Sequence, residues 1–244
     1  MTLEKAVPHL RVPASRLTSR VHRDLAPGAQ RVDPVLIGRQ SIFTMDGARF
    51  GYELLYRSSR PGSPVDTWSA HEQDDATRHV IRSALACGLP MLCGARPAFV
   101  NATRTLLVGG LDVPALPSAL GIEVVESVVV DAAVLDGVRR LRSEGHLIAV
   151  DDFTGTADQL AVLPHADLVK VDMRDLLRVG TDLLRRARAH GAMTVIERVE
   201  TSEALDRCRA LGFDLVQGNL LEPAMVLDVS PAQLPGTRFS PTRR

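Results

Sequence analysis

Lysine is scarce in this chain. Of the 29 lysines and arginines, only Lys5 and Lys170 are lysines and 27 are arginines. Asparagine is equally rare, and it occurs at Asn101 and Asn219. Because an ammonium group and a guanidinium group differ in shape and in hydrogen-bond geometry, a lysine inside an arginine-rich chain indicates a position where guanidinium would not serve.

The chain also lacks net charge, long apolar runs and paired cysteines. Its 29 basic residues balance 29 acidic ones, which argues against a nucleic-acid polymer as partner and favours a small ligand. No apolar run reaches about 18 residues, and the N-terminus has no signal-peptide core, so we predict no membrane span. The cysteines, Cys87, Cys93 and Cys208, are odd in number and lack metal-type spacing. This predicts reduced thiols in a soluble, cytoplasmic protein.

A long patterned region lies between two segments without periodicity. Residues 1–33 contain scattered prolines and arginines, which predicts a flexible N-terminal arm, the alternative being an arm that docks a partner. Residues 34–230 carry the periodic patterns of one domain, and residues 231–244 are predicted to be a flexible C-terminal tail. With 45% hydrophobic residues, the chain has ample material for a core.

The patterned region opens with a hairpin. Apolar runs at residues 35–43 and 48–56 flank Asp46-Gly47, a dipeptide that strongly favours a tight turn between antiparallel strands. A helix is then predicted over residues 66–87, where Gly88 and Pro90 end it.

Strands and helices alternate after this helix. Six strand-like runs end at residues 101, 126, 152, 172, 197 and 217. Amphipathic segments at 131–143, 181–190 and 202–211 lie between several of them, and each is followed within two residues by a glycine. Repeated units of this kind predict an α/β fold with a parallel sheet or barrel.

The strongest functional signal is Asp151-Asp152, where the apolar run 147–150 stops at two adjacent carboxylates. The carboxyl edge of a parallel sheet is where α/β active sites lie. Two adjacent acids repel each other unless a cation or hydrogen-bond donors stabilise them. We therefore predict a divalent metal here, the alternative being a solvated loop whose acid caps the next helix.

Polar residues end other strands in the same way. Asn101, Glu197 and Gln217 each lie two residues after an apolar residue of the same strand, and residues at this spacing share one face. Closing the strands into a barrel would bring these polar groups together at its carboxyl-terminal mouth.

Lys170 and Asn101 each allow two interpretations. Lys170 lies between valines of a buried strand, where a compact ammonium could orient a water; the alternative is a core lysine paired with Asp151 or Asp172. Asn101 offers a neutral oxygen ligand typical of a magnesium or manganese site, or it fixes a loop at the strand end.

These residues resemble the EAL domains, a family that hydrolyses the bacterial second messenger cyclic di-GMP. The resemblance extends over about residues 35–227, and it is closest to the compact EAL domains usually fused to an HDOD domain. The matching segments are, in order, Glu53-Leu54-Leu55, Phe99-Val100-Asn101, Glu123-Val124-Val125-Glu126, Asp151-Asp152-Phe153, Lys170-Val171-Asp172, Glu197-Arg198-Val199-Glu200 and Gln217-Gly218. The resemblance implies a (β/α)8-type, TIM-like barrel with an initial antiparallel hairpin.

Carried over by position, the resemblance implies a phosphodiesterase with two divalent ions, Mg²⁺ or Mn²⁺, and pGpG as product. The implied metal ligands are Glu53, Asn101, Glu123 and Asp151 for one ion, and Asp151, Asp152 and Glu200 for the second. Lys170 would position the attacking water and Glu197 would act as base. Gln40, Arg57 and Gln217 would hold the dinucleotide.

Two departures from the family pattern favour a different class of function. Residues 154–159 read Thr-Gly-Thr-Ala-Asp-Gln where active members usually have Gly-Thr-Gly-Tyr-Ser-Ser, a loop that couples metal binding to dimerisation, and Arg198 replaces a glycine. The alternative is therefore a catalytically inactive EAL domain that acts as a cyclic di-GMP receptor or protein-interaction module. A third interpretation is an unrelated barrel enzyme for another phosphorylated substrate. Whether the chain forms a homodimer, and whether it binds a signalling protein partner, are left open.

Overall fold

The computed structural model describes residues 35–57, 68–116 and 118–229. The arm predicted at residues 1–33 and the tail predicted at 231–244 lie outside these ranges, so both stay predictions. Within the described ranges, no helix combines the length and the apolar character that crossing a membrane requires.

The strands close into a barrel. In chain order they are β1 Leu36–Thr44, β2 Arg49–Tyr56, β3 Ala98–Ala102, β4 Leu120–Val124, β5 Leu147–Val150, β6 Leu168–Asp172, β7 Met193–Glu197, β8 Leu215–Val216 and β9 Met225–Asp228. Strands β2 to β8 are parallel neighbours in sequence order. Strand β1 closes the barrel between β8 and β2, antiparallel to both. The predicted TIM-like barrel with its initial hairpin is confirmed.

Helices follow most of the strands. They are α1 Ala70–Cys87, α2 Leu89–Cys93, α3 Arg104–Leu107, α4 Ala132–Ser143, α5 Ala157–Val162, α6 Met173–Val179, α7 Thr181–Ala187 and α8 Ser202–Ala210. The helix predicted from residue 66 begins at Ala70, because Ser69 and Glu72 form a capping box. The shorter helices and β9 were not predicted, since segments this short carry little periodic signal.

A layer of apolar side chains fills the barrel below its mouth. Its members are Ile42, Phe99, Ala149, Leu168, Val195 and Leu215. Phe99 is fully buried, and it occupies space that Gly121 leaves free on the neighbouring strand. A Cβ atom at Gly121 would lie 2.3 Å from the Phe99 ring, so this glycine is required by packing.

The polar residues of the mouth stand one layer above this apolar floor. The set is Glu53, Asn101, Glu123, Asp151, Lys170, Glu197 and Gln217. On each strand, the polar residue lies two positions after an apolar residue or a glycine; in the same order these are Gly51, Phe99, Gly121, Ala149, Leu168, Val195 and Leu215. Because side chains alternate along a strand, all of them project to the inside of the barrel. The convergence predicted for Asn101, Glu197 and Gln217 therefore follows from one repeated spacing.

Gly121→Ala is expected to lower the free energy of unfolding by about 1–3 kcal/mol, because the added methyl group would overlap the Phe99 ring. Urea denaturation followed by circular dichroism measures this change. The control is the same substitution in a Phe99→Leu background, where the cost should be smaller since the ring is gone. An equal cost in both backgrounds would contradict the assigned contact.

Candidate functional site

Lys170 is the centre of the barrel mouth. Its Nζ atom lies 2.8 Å from Asp151 Oδ1, 2.9 Å from Glu123 Oε2, 3.0 Å from Glu197 Oε1 and 3.3 Å from Glu53 Oε2. The lysine side chain is only 1% exposed. Each of the four carboxylates comes from a different strand or strand end, so one ammonium group joins much of the barrel.

The cluster contains more acidic groups than basic ones. Burial by itself lowers the pKa of Lys170, but attraction to the four carboxylates outweighs burial and raises this pKa well above its ordinary value. Burial raises the pKa of Glu123 well above normal, and it raises the pKa of Glu197 to about 8 despite the attraction of Lys170. One ammonium therefore does not offset four carboxylates, and the cluster favours additional cations or protons.

Gln217 holds Glu53 in this arrangement, and Gln40 accepts a second hydrogen bond from Gln217. Gln217 donates from Nε2 to Glu53 Oε2 at 2.7 Å and to Gln40 Oε1 at 3.1 Å. Gln40 is the residue directly opposite Glu53 in the β1–β2 pair. The two predicted ligand-binding glutamines thus belong to the same network as the predicted metal ligands.

The oxygen atoms at the mouth fit a hard divalent cation. Asn101 Oδ1 and Glu123 Oε1 are buried and have no hydrogen-bond partner among the described residues, although buried acceptors are usually paired. Glu126, Asp151 and Asp152 each offer a carboxylate oxygen, and these oxygens lie within 4.8 Å of one another. Carboxylate and amide oxygens are the ligands that magnesium, manganese and calcium take. Glu126, which the sequence placed in a motif without a role, joins this set.

Two clefts open at the mouth and share Leu55, Asp151 and Asp152. The first, of about 390 Å³, is lined by a set that includes Tyr56, Arg57, Trp68, Asn101 and Glu126. The second, of about 320 Å³, is lined by a set that includes Gln40, Lys170, Glu197, Arg198, Glu200 and Gln217. The acid pair therefore lies on the border between the two clefts.

Arg57 and Glu200 are predicted site residues that line a cleft without joining the Lys170 cluster. Arg57 donates from Nη1 to the carbonyl oxygen of Tyr56 at 2.8 Å, and Glu200 is exposed in the second cleft. Within residues 35–57, 68–116 and 118–229, neither side chain forms a hydrogen bond or ion pair with another predicted site residue. Their roles stay predictions.

Asp152 has an unusual backbone for a residue other than glycine. Its φ of 40° lies in the left-handed region. Burial, followed by repulsion from Asp151 and Glu126, raises the pKa of Asp152 to about 6. The alternative in which this acid pair caps the next helix is wrong, because Thr156 is the N-cap of α5.

Gln159 organises the loop that departs from the family pattern. Its Oε1 accepts from the backbone N–H groups of residues 154, 155 and 156 at 2.9, 2.9 and 3.3 Å. Its Nε2 donates to the carbonyl oxygens of Asp151 and Asp152 at 3.2 and 2.9 Å. Sequence reasoning missed this role, although the Thr-x-x-Gln spacing from Thr156 to Gln159 is the signal of a capping box. One buried amide thus connects the altered loop to the acid pair.

Asp172 lies outside the Lys170 cluster. It is buried, it caps α6, and its carboxylate pairs with Arg174 and Arg198. Asp151 and Asp172 were the two structural partners considered for Lys170. Asp151 is one of the four carboxylates that contact Lys170, whereas the pairing with Asp172 was wrong.

The EAL domain model matches residues 93–224, which is more than half of the chain. This chain belongs to the EAL domain family. It is 30% identical over 200 residues to the uncharacterized protein YuxH of Bacillus subtilis, covering 79% of this chain and 48% of YuxH. It is 26% identical over 186 residues to the cyclic di-GMP phosphodiesterase CdgJ of Vibrio cholerae, covering 75% of this chain and 42% of CdgJ. The chain thus spans less than half the length of these two relatives.

Solved EAL structures share the fold. The PaMucR phosphodiesterase in complex with c-di-GMP superposes with a TM-score of 0.62 at 22% identity, over 78% of this chain and 92% of that one. Klebsiella pneumoniae BlrP1 in a manganese/cy-diGMP complex superposes with a TM-score of 0.61 at 23% identity, over 82% and 58%. At 22% and 23% sequence identity, these superpositions show a shared barrel fold.

Gln159→Leu is expected to lower the free energy of unfolding by about 2–4 kcal/mol, because three backbone N–H groups lose their acceptor. Urea denaturation measures the loss. Gln73→Leu is the matched control, since Gln73 makes one side-chain bond of 3.3 Å to the Trp68 carbonyl and should cost less than about 1 kcal/mol. Equal losses in the two variants would show that Gln159 has no special role in the loop.

The metal-free protein is expected to lose stability as the pH rises from about 5 to about 8. Folded Glu197 keeps its proton up to a pKa of about 8, whereas the unfolded carboxyl has the ordinary value of 4.5. Unfolding therefore releases a proton, and a higher pH favours it. The change should be on the order of a few kcal/mol, since each pKa unit corresponds to about 1.4 kcal/mol.

Chemical denaturation in EDTA across this pH range measures the effect. Glu197→Gln should make the profile less steep, and a remaining slope is expected from Glu123 and Asp152, whose pKa values are also raised. Glu144→Gln, at the C-cap of α4 beside Arg140, should leave the profile as in the parent protein. A parent profile that rises with pH would contradict the assignment.

Proposed function

We propose that this EAL domain is a metal-dependent phosphodiesterase that hydrolyses cyclic di-GMP to linear pGpG. The observation that carries the proposal is the convergence of four carboxylates on Lys170 at the barrel mouth. Beside it lie oxygens of Asn101 and Glu123 that have no hydrogen-bond partner in the described part of the chain. The similarity to CdgJ, a cyclic di-GMP phosphodiesterase, supports the substrate.

The proposed cofactors are two divalent ions, Mg²⁺ or Mn²⁺. Glu53, Asn101, Glu123 and Asp151 would hold one, and Asp151, Asp152 and Glu200 would hold the second, with Glu126 as a further oxygen ligand beside the acid pair. When bound, such ions act as Lewis acids that stabilise the charge developing on phosphodiester oxygens. The negative charge of the mouth favours their binding.

Lys170 and Glu197 are the residues assigned to the attacking water. The Lys170 ammonium, held in its charged form, would donate a hydrogen bond to the attacking water and orient it. Glu197 would accept a proton from that water, because the bound ions would favour its charged form. Their contact of 3.0 Å supports assigning both side chains to the same water.

The remaining predicted residues would hold the ligand. Arg57 in the first cleft can form paired hydrogen bonds to a phosphate. Gln40 and Gln217 in the second cleft offer amide groups. Tyr56 and Trp68, whose rings meet edge to face at 5.5 Å, give the first cleft an apolar wall on which a base can pack.

The second candidate function is a non-catalytic receptor for cyclic di-GMP. The observation that favours it is the altered loop 154–159, which departs from the pattern of active family members. Such a receptor would bind the ligand in the same two clefts without cleaving it.

Purified protein incubated with cyclic di-GMP and Mg²⁺ or Mn²⁺ is expected to produce pGpG, detected by chromatography. Glu53→Gln should lower the rate by roughly 10²–10³-fold, because it removes a carboxylate ligand of the first proposed ion. The control Glu144→Gln, remote from the mouth, should keep the parent rate.

Other results would reject parts of the proposal. If Glu53→Gln hydrolysed cyclic di-GMP at the rate of the parent protein, the assignment of Glu53 as a metal ligand would be refuted. Binding of cyclic di-GMP without product would favour the receptor, and absence of both binding and product would refute the proposed function.

A further inference from the structure

We infer that Arg198 is a further ligand-binding residue, which contacts the second phosphate of a cyclic dinucleotide while Arg57 contacts the first. This inference rests on the proposed function, since it concerns the ligand of the same two clefts. In the sequence, Arg198 counts as a departure that favours a non-catalytic receptor, and its side chain was given no role of its own.

Arg198 has a backbone conformation that arginine rarely adopts. It follows Glu197 at the end of β7, and its φ is 56°. The left-handed region is disfavoured for residues with a Cβ atom, and such strain is concentrated at functional sites. A glycine would relieve the strain, so the presence of arginine indicates that its side chain is needed at the mouth.

Asp172 anchors the Arg198 side chain. Its Oδ2 lies 2.7 Å from Arg198 Nε, and the carboxylate is only 2% exposed. The same carboxylate accepts from Nε and Nη2 of Arg174. Two guanidinium groups share one carboxylate, so one positive charge remains uncompensated within this group of three.

Arg198 retains donors for a ligand. Its side chain is 59% exposed, and a guanidinium carries five N–H donors in a rigid fork. The anchored Nε limits the freedom of the side chain, which lowers the entropy lost when a ligand binds. An anchored arginine with exposed donors is well suited to a phosphate oxygen pair.

The charges of the second cleft give Arg198 a particular importance. Among the described residues that line this cleft, the cations are Lys170 and Arg198. Lys170 is surrounded by four carboxylates, and Glu200 adds a further acid to the lining. A phosphate that enters this cleft would therefore find its accessible cationic donor at Arg198.

The two clefts match the chemistry of a cyclic dinucleotide, which carries two phosphates. Arg57 is the cation of the first cleft among the described lining residues, and the second cleft contains Arg198. The clefts meet at Leu55, Asp151 and Asp152. A ligand centred there can place one phosphate toward each arginine.

Arg174 provides a matched control. It pairs with the same carboxylate as Arg198, and its side chain is 71% exposed, but it lines neither cleft. Removing either guanidinium leaves Asp172 with one arginine partner. Only the loss of Arg198 should therefore remove a contact to the ligand.

The test is calorimetric titration of the parent protein, Arg198→Gln and Arg174→Gln with cyclic di-GMP in Ca²⁺, the ion present in a solved EAL complex with intact ligand. Arg198→Gln is expected to raise the Kd by about 10-fold or more, the usual size of a charge-assisted contact. Arg174→Gln should stay within about 2-fold of the parent. Arg198→Gly, which removes the backbone strain, should weaken binding as Arg198→Gln does while remaining folded by circular dichroism.

The remaining outcomes overturn the inference in distinguishable ways. An unchanged Kd in Arg198→Gln would reject the role of Arg198 and leave the proposed function standing. Equal losses in Arg198→Gln and Arg174→Gln would assign the effect to the support of Asp172 instead of a ligand contact. No binding by the parent protein would reject the proposed function, and this inference with it.

Discussion

The attraction between the Lys170 ammonium and four carboxylates is the interaction on which the barrel mouth depends. Taking charged groups out of water is costly, and a buried ion pair persists when its geometry and remaining partners compensate that cost. Here one cation faces Glu53, Glu123, Asp151 and Glu197 at 2.8–3.3 Å. The excess of negative charge raises the affinity of the mouth for further positive charge, whether protons or divalent cations.

The apolar floor below the mouth makes this cluster possible. Phe99 and its neighbours exclude water from the barrel interior, so the charges above them interact in a medium of low polarity. The antiparallel strand β1 completes the wall and places Gln40 opposite Glu53. The same packing that stabilises the barrel therefore sets the electrostatics of the site.

Two further buried side chains hold the rim of the mouth. A buried amide, Gln159, connects the loop 154–156 to the carbonyl oxygens of Asp151 and Asp152. A buried carboxylate, Asp172, is shared by two arginines. Both side chains satisfy polar groups that would otherwise be buried without partners, and both position residues that line the clefts.

The sequence by itself determined the local features: the hairpin at Asp46-Gly47, the alternation of strands and helices, and a polar residue at each strand end. These are encoded by turn chemistry and by periodicity, which act over a few residues. Only the tertiary structure decided that Lys170 meets all four acids, that Gln159 supports the acid pair, and that Asp172 binds arginines. Lys170 and Glu53 are 117 residues apart in the chain, and contacts at such separations depend on strand register and barrel closure, which no local pattern specifies.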